Sequence, residues 1–598
     1  MWESDERHEW RSGPWSLELR DDELADVAHD GRVVLRSVRA VVRDRNWDTA
    51  GLVVDRAAAS DLALTLHVHS AGLGSDLRGI VRAEVRGPGR LRVLTDLESA
   101  SQFETNRTGL VVLHPPALAG SRMDVRHPDG GVTHSRFPGD ISPHQPAFDI
   151  AALQWSHDGL DVDVRFAGDV FEMEDQRNWT DASYKTYSRP LALPFPYVLA
   201  AGERVVQSIE IAVSGTPAPV DADPVARIRL EEGPPLPAIG VSAATAPDPA
   251  PPLAEAPVEG ARPASVLVEL DLATRNWRAA LGRAAASALP LDVRFVLSDD
   301  EPASIDEAAH ALRGLPIARV TAFVATGPAR HVSDLGAIGL LRHALTEAGV
   351  EADVVGGVRS HFTELNREHH RLPRGLDGIV FSSTPLFHSL SIAQLVESLP
   401  MQRLVATQAV GIAAGLPVHI GPISLRPHFN DVATTPPPMP AHDDLRDGYG
   451  SALILPTPPP GAAGAPPGAS GRVSPAADPR QAAPELAAWT IASAAALAVP
   501  GVATLAYFEE WGPRGVRTGD GAALPVLEAV SALASLSGRA GLRGDSPDGL
   551  VWAVGARAAD GDAVLVANLD RRARSVEVEL PGGSTRTAEV AAGAFVRL

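Results

Sequence analysis

Residues 318–357 read ARVTAFVATGPARHVSDLGAIGLLRHALTEAGVEADVVGG, and the order of textures in that stretch decides the fold. An apolar run of strand length, ARVTAFVAT, meets a Gly-Pro break. Ser333 can then cap a helix that carries Leu335, Ile338, Leu341 and Leu345 on one face, and the apolar run ADVVGG follows. Strand, helix and strand in that order predict a parallel βαβ unit. The same alternation continues on both sides. SVLVELDL (265–272), VRFVLS (293–298), GIVFSS (378–383), PVHIGPISL (417–425) and VATLAYFEE (502–510) complete a set of seven strands. Seven such units in about 250 residues predict a (β/α)8 TIM barrel over residues 263–545. The eighth strand has no clear place between Gly538 and Val551.

The flanks have a different texture. Up to residue 213 short runs such as VVLRSVRAVV, LALTLHVHS and LDVDVRFAGDVFEME alternate apolar and polar residues between Gly, Asp and Pro turns. This pattern predicts an N-terminal β-sandwich over 1–213. Residues 214–262, rich in Pro and Ala, read as a linker, and 434–476 as a Pro-rich insertion near the barrel mouth. Alternation returns at the end, GLVWAVGARA to GAFVRL, for a small C-terminal β-domain over 546–598. The chain is multidomain α/β plus all-β, as its 598 residues require of an ordinary globular protein.

A net charge of −21 repels a phosphate backbone and disfavours nucleic acid as a partner. With no cysteine, thiolate nucleophiles, disulfides and cysteine-based zinc sites are excluded. No apolar run is long enough to span a membrane, so the expected address is cytoplasmic and the expected partner a small molecule. No cofactor is expected; His67 and His69 alternate on one strand, but no third ligand completes a metal site.

Chemistry in a barrel belongs to the C-terminal ends of its strands. VRSHFTELNREHH follows the fourth of the seven strands, and YFEEWGPRG ends the last, placing Glu364 and Glu509 at the mouth. Two carboxylates facing across a cleft can divide labour between acid and base, or between acid and nucleophile. His388 in STPLFHS, and Arg426, His428 and Asn430 in SLRPHFN, can hold a carboxylate or a developing oxyanion. For Arg426 the alternative is a salt bridge that braces its loop. Asn366 and Tyr507, beside the two glutamates, are further candidate substrate ligands. Outside the barrel, FEMEDQRNWTDASYKTY (171–187) holds Asn178 and Lys185, the chain's only lysine. Both are candidate ligands, with a structural brace among Glu172, Glu174 and Asp181 as the alternative for Lys185.

Several long stretches carry a family resemblance: VRDRNWDT, FETNRTGLVVLHP, FPGDISPHQPAFDI, FEMEDQRNWTDASYKTYSRPLALPFPY, FTELNRE, LRPHFN, DPRQAAPELAAW and YFEEWGPRGV. In this order, over roughly residues 35 to 520, they resemble the D-apionate lactonase family. The resemblance implies a β-domain, a TIM barrel and a small C-terminal β-domain, and hydrolysis of D-apionolactone to D-apionate. The family's YYETTGWRG appears here as YFEEWGPRG, which keeps Glu509, and its PQVHAFD as PLFHSLS, which keeps His388; a reshaped pocket is implied.

On this reading Glu509 activates water and Glu364 protonates the leaving hydroxyl, with the reverse assignment open. A retaining glycoside hydrolase is the second reading, with Glu364 as acid and Glu509 as nucleophile. The signature of that glycosidase clan puts Asn directly before the strand-four glutamate, where this chain has Thr363. A noncatalytic sugar-binding protein is the third reading. The oligomeric state is left open.

Overall fold

The protein is described by a computed structural model covering residues 8–218, 225–251, 261–298, 303–429, 431–432, 439–450, 478–557 and 561–598. The chain divides into two compact units, an N-terminal one over Glu3–Ala222 and a second that holds nearly all of the remainder.

The N-terminal unit is the expected β-sandwich, two antiparallel sheets of ten and nine strands. Its longest ladder pairs Arg32–Asp44 with Phe103–His114. Alternation sends Val38, Ala40 and Val42 of the first, with Leu110 and Val112 of the second, into a core shared with Leu66, Val93, Leu153 and Ile209. Each such side chain contributes about 1.5–3 kcal/mol on burial.

The second unit is built on a parallel barrel. Its strands are β1 (Ala238–Ser242), β2 (Val266–Asp271), β3 (Leu291–Leu297), β4 (Ile317–Val324), β5 (Asp353–Val354 with Gly356–His361), β6 (Ile379–Ser383), β7 (Val418–Ile423) and β8 (Val502–Glu509). β1 pairs with both β2 and β8. β5 is interrupted at Val355, pairing with β4 through its first part and with β6 through its second. Eight passes therefore form the ring. Strands covered on both faces need continuous apolar runs, and every residue of β3 is buried. Helices α1 (Trp277–Ala285), α2 (Ala303–Ala311), α3 (Leu335–Ala348), α4 (Phe362–Glu368), α5 (Ile392–Ala413), α6 (Glu485–Leu497) and α7 (Pro525–Leu536) follow β2 to β8 in turn.

Three expectations are corrected. The missing strand is the first, not the last: β1 lies within the stretch read as a linker, so the seven recognised strands are β2 to β8. Glu364 and Glu509 consequently follow strands five and eight, and the correspondence with the four-and-seven plan of the glycosidase clan is lost. The rest of the supposed linker is also structured. Ala226–Arg229 lies parallel to Arg574–Glu579, and Glu231–Pro235 pairs with Ala540–Arg543 at the edge of the C-terminal five-stranded sheet. An edge position tolerates Pro234 and Pro235, which lack the donor a central strand needs. The third correction is local to α3. Asp334, not Ser333, caps this helix by accepting from the Ala337 amide at 2.9 Å, while Ser333 pairs with Thr321 and Leu335 is exposed. Within the insertion, 439–450 is described: the Tyr449 amide donates to the Thr245 carbonyl at 3.0 Å, after β1. Residues 451–476 lie outside the described residues.

Candidate active site

The end of β8 is where the backbone departs from a regular strand. Phe508 has φ +55°, rare for a bulky residue, and the β1–β8 register shifts next to it, between Gly240 and Ser242. Tyr507 and Glu509 therefore part company. The Tyr507 hydroxyl donates to Ser493 Oγ on α6 at 2.9 Å, in the layer between strands and helices, so Tyr507 is not brought to the mouth. Glu509 turns to the loop after β1. Thr245 donates its hydroxyl to Oε1 at 2.8 Å and its amide to Oε2 at 3.1 Å, and Arg514 forms an ion pair with Oε1. Arg514 also donates to Thr245 Oγ1 at 2.5 Å. A guanidinium and two further donors fix the orientation of this carboxylate.

Glu364 is in the opposite condition. It sits in the first turn of α4, directly after β5, and accepts from Ser360 Oγ at 2.7 Å. Burial pushes its carboxyl up to about 8, Asp431 adds to the rise, and the Ser360 bond and Arg367 only partly oppose it. The rise favours its protonated form toward neutral pH. The two glutamates at this end of the barrel thus have different surroundings, one buried against Ser360 and one paired with Arg514.

Between them lies a cluster the sequence did not announce. Arg359 on β5 donates to Glu269 Oε1 on β2 at 2.5 Å and packs over the Phe429 ring at 4.0 Å. Burial alone would raise the Glu269 carboxyl, but Arg359 and His428 hold it well below the usual range. His428 Nε2 is 3.6 Å from Glu269 Oε2, beyond hydrogen-bond length. His361 ends β5, is 3% exposed and meets the Phe387 ring edge-on at 4.9 Å. Burial brings its imidazole down to about 4, with the Asp431 carboxylate pulling the other way. Asp431 thus acts on both Glu364 and His361, while Arg514 acts on both Glu509 and His428. The two glutamates belong to one electrostatic neighbourhood. The available signal was a charged residue inside an apolar strand, Glu269 in VLVELD and Arg359 in GGVRSH.

The remaining candidates separate. Arg426 Nε donates to Asp478 at 3.0 Å, the loop brace weighed above. His388 is partly buried beside Phe387 and close enough to lower the His361 value. Asn366, on α4, is buried and accepts from Gln408 at 3.4 Å. Asn430 lies outside the described residues. In the N-terminal unit the Asn178 amide is fully engaged, donating to the carbonyls of Ser142 at 2.6 Å and Asp175 at 3.0 Å. Lys185 pairs with Glu174 and lies 5.0 Å from the Tyr187 ring centre. Among the described residues no group of three or more His, Asp or Glu side chains is arranged to hold a metal ion, and no helix is long and apolar enough to cross a membrane.

A parallel barrel with two glutamates in contrasting surroundings at the ends of its strands has the layout of a hydrolytic enzyme. The D-apionate lactonase N-terminal domain matches residues 2–216, and the D-apionate lactonase TIM barrel domain matches 239–446 and 451–538. A D-apionate lactonase of Brucella anthropi is 30% identical over 449 residues, covering 69% of this chain and 72% of that protein. The chain belongs to the D-apionate lactonase family, whose enzymes are carboxylic ester hydrolases.

Solved structures are more distant. A GH30 endoxylanase from Clostridium papyrosolvens covers 62% of this chain and 98% of its own at 10% identity, TM-score 0.36. A putative aldose 1-epimerase from Escherichia coli covers 35% and 99% at 12% identity, TM-score 0.26.

Proposed function

We propose that this enzyme opens D-apionolactone, or a close sugar-derived aldonolactone, to the corresponding aldonate. The observation that carries the mechanism is the difference in surroundings between Glu364, whose carboxyl burial pushes up to about 8, and Glu509, which accepts from Thr245 and pairs with Arg514. Water adds to the lactone carbonyl carbon and gives one proton to Glu509. As the tetrahedral intermediate collapses, the ring C–O bond breaks and the departing oxygen takes the Glu364 proton. The new carboxylic acid ionises, Glu509 returns its proton to solvent, and Glu364 is reprotonated. One water is consumed and one proton released per turnover.

His388 and Asn366 are assigned to substrate hydroxyls. Arg426, Lys185 and Asn178 are assigned to bracing, on the partners described above. General acid or base catalysis contributes typically 10²–10⁴-fold, so Glu364→Gln and Glu509→Gln should each lower kcat by about 10²-fold or more. Proton release from pure lactone, followed in a pH-stat, is the assay. Opening of the lactone by wild type no faster than in buffer would falsify the reading.

A further inference from the structure

The lactonase reading leaves one part of the reaction without a residue: the negative charge that develops on the carbonyl oxygen as water adds. We propose that His361 supplies it, donating a ring N–H to the lactone carbonyl oxygen and carrying the oxyanion through the tetrahedral intermediate. This inference rests on the lactonase reading and adds a catalytic residue to it.

Position comes first. His361 is the last residue of β5, at the C-terminal end of the barrel where catalytic groups collect. Two residues earlier in the same strand Arg359 reaches Glu269 on β2. The groups around His361 come from the loops after other strands, namely Phe387 and His388 after β6 and His428 and Asp431 after β7. Asp431 also acts on Glu364, three residues further along the chain.

Satisfaction comes second. The side chain is buried, yet among the described residues neither Nδ1 nor Nε2 has a hydrogen-bond partner. Buried polar groups are nearly always paired, and those that are not cluster where a ligand completes them. A histidine retained for packing would bond at least one nitrogen, as His114 does with Thr186 at 2.8 Å and His419 with Thr504 at 3.0 Å.

Protonation comes third. Burial keeps His361 neutral at working pH, so it holds one N–H and cannot be a persistent cation. A neutral imidazole keeps one N–H that it can donate to charge that exists only in the transition state. No proton is transferred: the N–H stays on the ring while the carbonyl oxygen gains charge and then returns it as the ring C–O bond breaks.

The test uses the full chain with two variants, His361→Phe, which keeps a ring without a donor, and His361→Ala, which keeps the site open if Phe does not fold. The readouts are kcat and KM for the pure lactone, and the infrared carbonyl stretch of a bound, nonhydrolysable lactam analogue of the same sugar. Removing an oxyanion donor costs about 10²–10³ in kcat. The expected result is a loss of that size with KM within threefold, and a lactam band that is lowered on wild type but returns to its solution frequency on the variant. A variant that folds, keeps kcat within threefold or leaves the lactam band lowered overturns the inference while the lactonase reading stands. If wild type itself fails to open the lactone, both fall together.

Discussion

Thr245 donates twice to Glu509, by its hydroxyl at 2.8 Å and by its amide at 3.1 Å, and so joins the loop after β1 to the end of β8. The first and last strands of the barrel meet at the proposed base. The hydroxyl also accepts from Arg514, so removing it loosens two charged groups at once. A hydrogen bond to a charged partner contributes about 1.5–3 kcal/mol, and a substitution that leaves the amide in place removes part of the arrangement. Thr245→Val should therefore lower kcat by about tenfold and stability by about 1–2 kcal/mol. Steady-state kinetics and a urea midpoint check the two numbers, and an unchanged kcat would show that Glu509 does not need this support.

The pH profile follows from Glu364. It can donate only while protonated, so kcat should be flat toward neutral pH and fall tenfold per unit above about 8, after subtraction of alkaline lactone opening in buffer. Two neighbours move that limb in opposite directions. Asp431 disfavours the ionised form, so Asp431→Asn should shift the limb to lower pH. Ser360 donates to the ionised form, so Ser360→Ala should shift it to higher pH. The raised value also has a stability consequence. The folded state holds a proton that the unfolded chain releases near 4.5, so stability falls as pH rises from there to about 8 and levels beyond. Glu364→Gln should flatten that part of the difference. Shifts of the same sign in both neighbour variants would remove Glu364 as the titrating group.

Lys185 has its charge met by Glu174 and its ammonium over the Tyr187 ring. Asp181, pushed up to about 8 by burial, is held lower than burial alone would hold it by that same lysine. Losing the ammonium takes the partner from Glu174 and a favourable charge from buried Asp181. Lys185→Met should then cost about 2 kcal/mol and lower Tm, with KM unchanged in the folded fraction. A large rise in KM with Tm unmoved would instead make Lys185 a substrate ligand.

What the sequence disclosed follows from how local each signal is. The sandwich and barrel strands β2 to β8 were legible because their apolar runs and turn residues lie within single windows. Both glutamates were legible because each directly follows such a run. β1 was hidden because AIGVS is short and sits among prolines that dominate the composition. His361, Asp431 and the Glu269–Arg359 pair were hidden because their meaning is a meeting of β2, β5 and the loop after β7, separated by up to 162 residues. Tyr507 misled because regular alternation would carry it with Glu509, and the positive φ at Phe508 broke that alternation.

The hidden first segment gives the last prediction. Ile228, in Ala226–Arg229, is 1% exposed and pairs in register with Val578, and it belongs to a core with Leu230, Val551, Val566 and Val576. Chain that precedes the barrel thus completes a sheet made mostly of chain that follows it. A linker residue has no such neighbours, and its truncation should change stability by less than about 0.5 kcal/mol. A core isoleucine cut to alanine loses buried methyl groups and leaves a cavity, at a cost of about 2–5 kcal/mol. Ile228→Ala should fall in the second range and the exposed neighbour Arg227→Ala in the first, measured as urea midpoints on the full chain. Because the five-stranded sheet that shares this core packs on α6, whose Ser493 holds Tyr507 just before the Phe508 turn, Ile228→Ala should also lower activity at temperatures where the core begins to open. Equal, small effects from both substitutions would return 226–229 to the status of a linker.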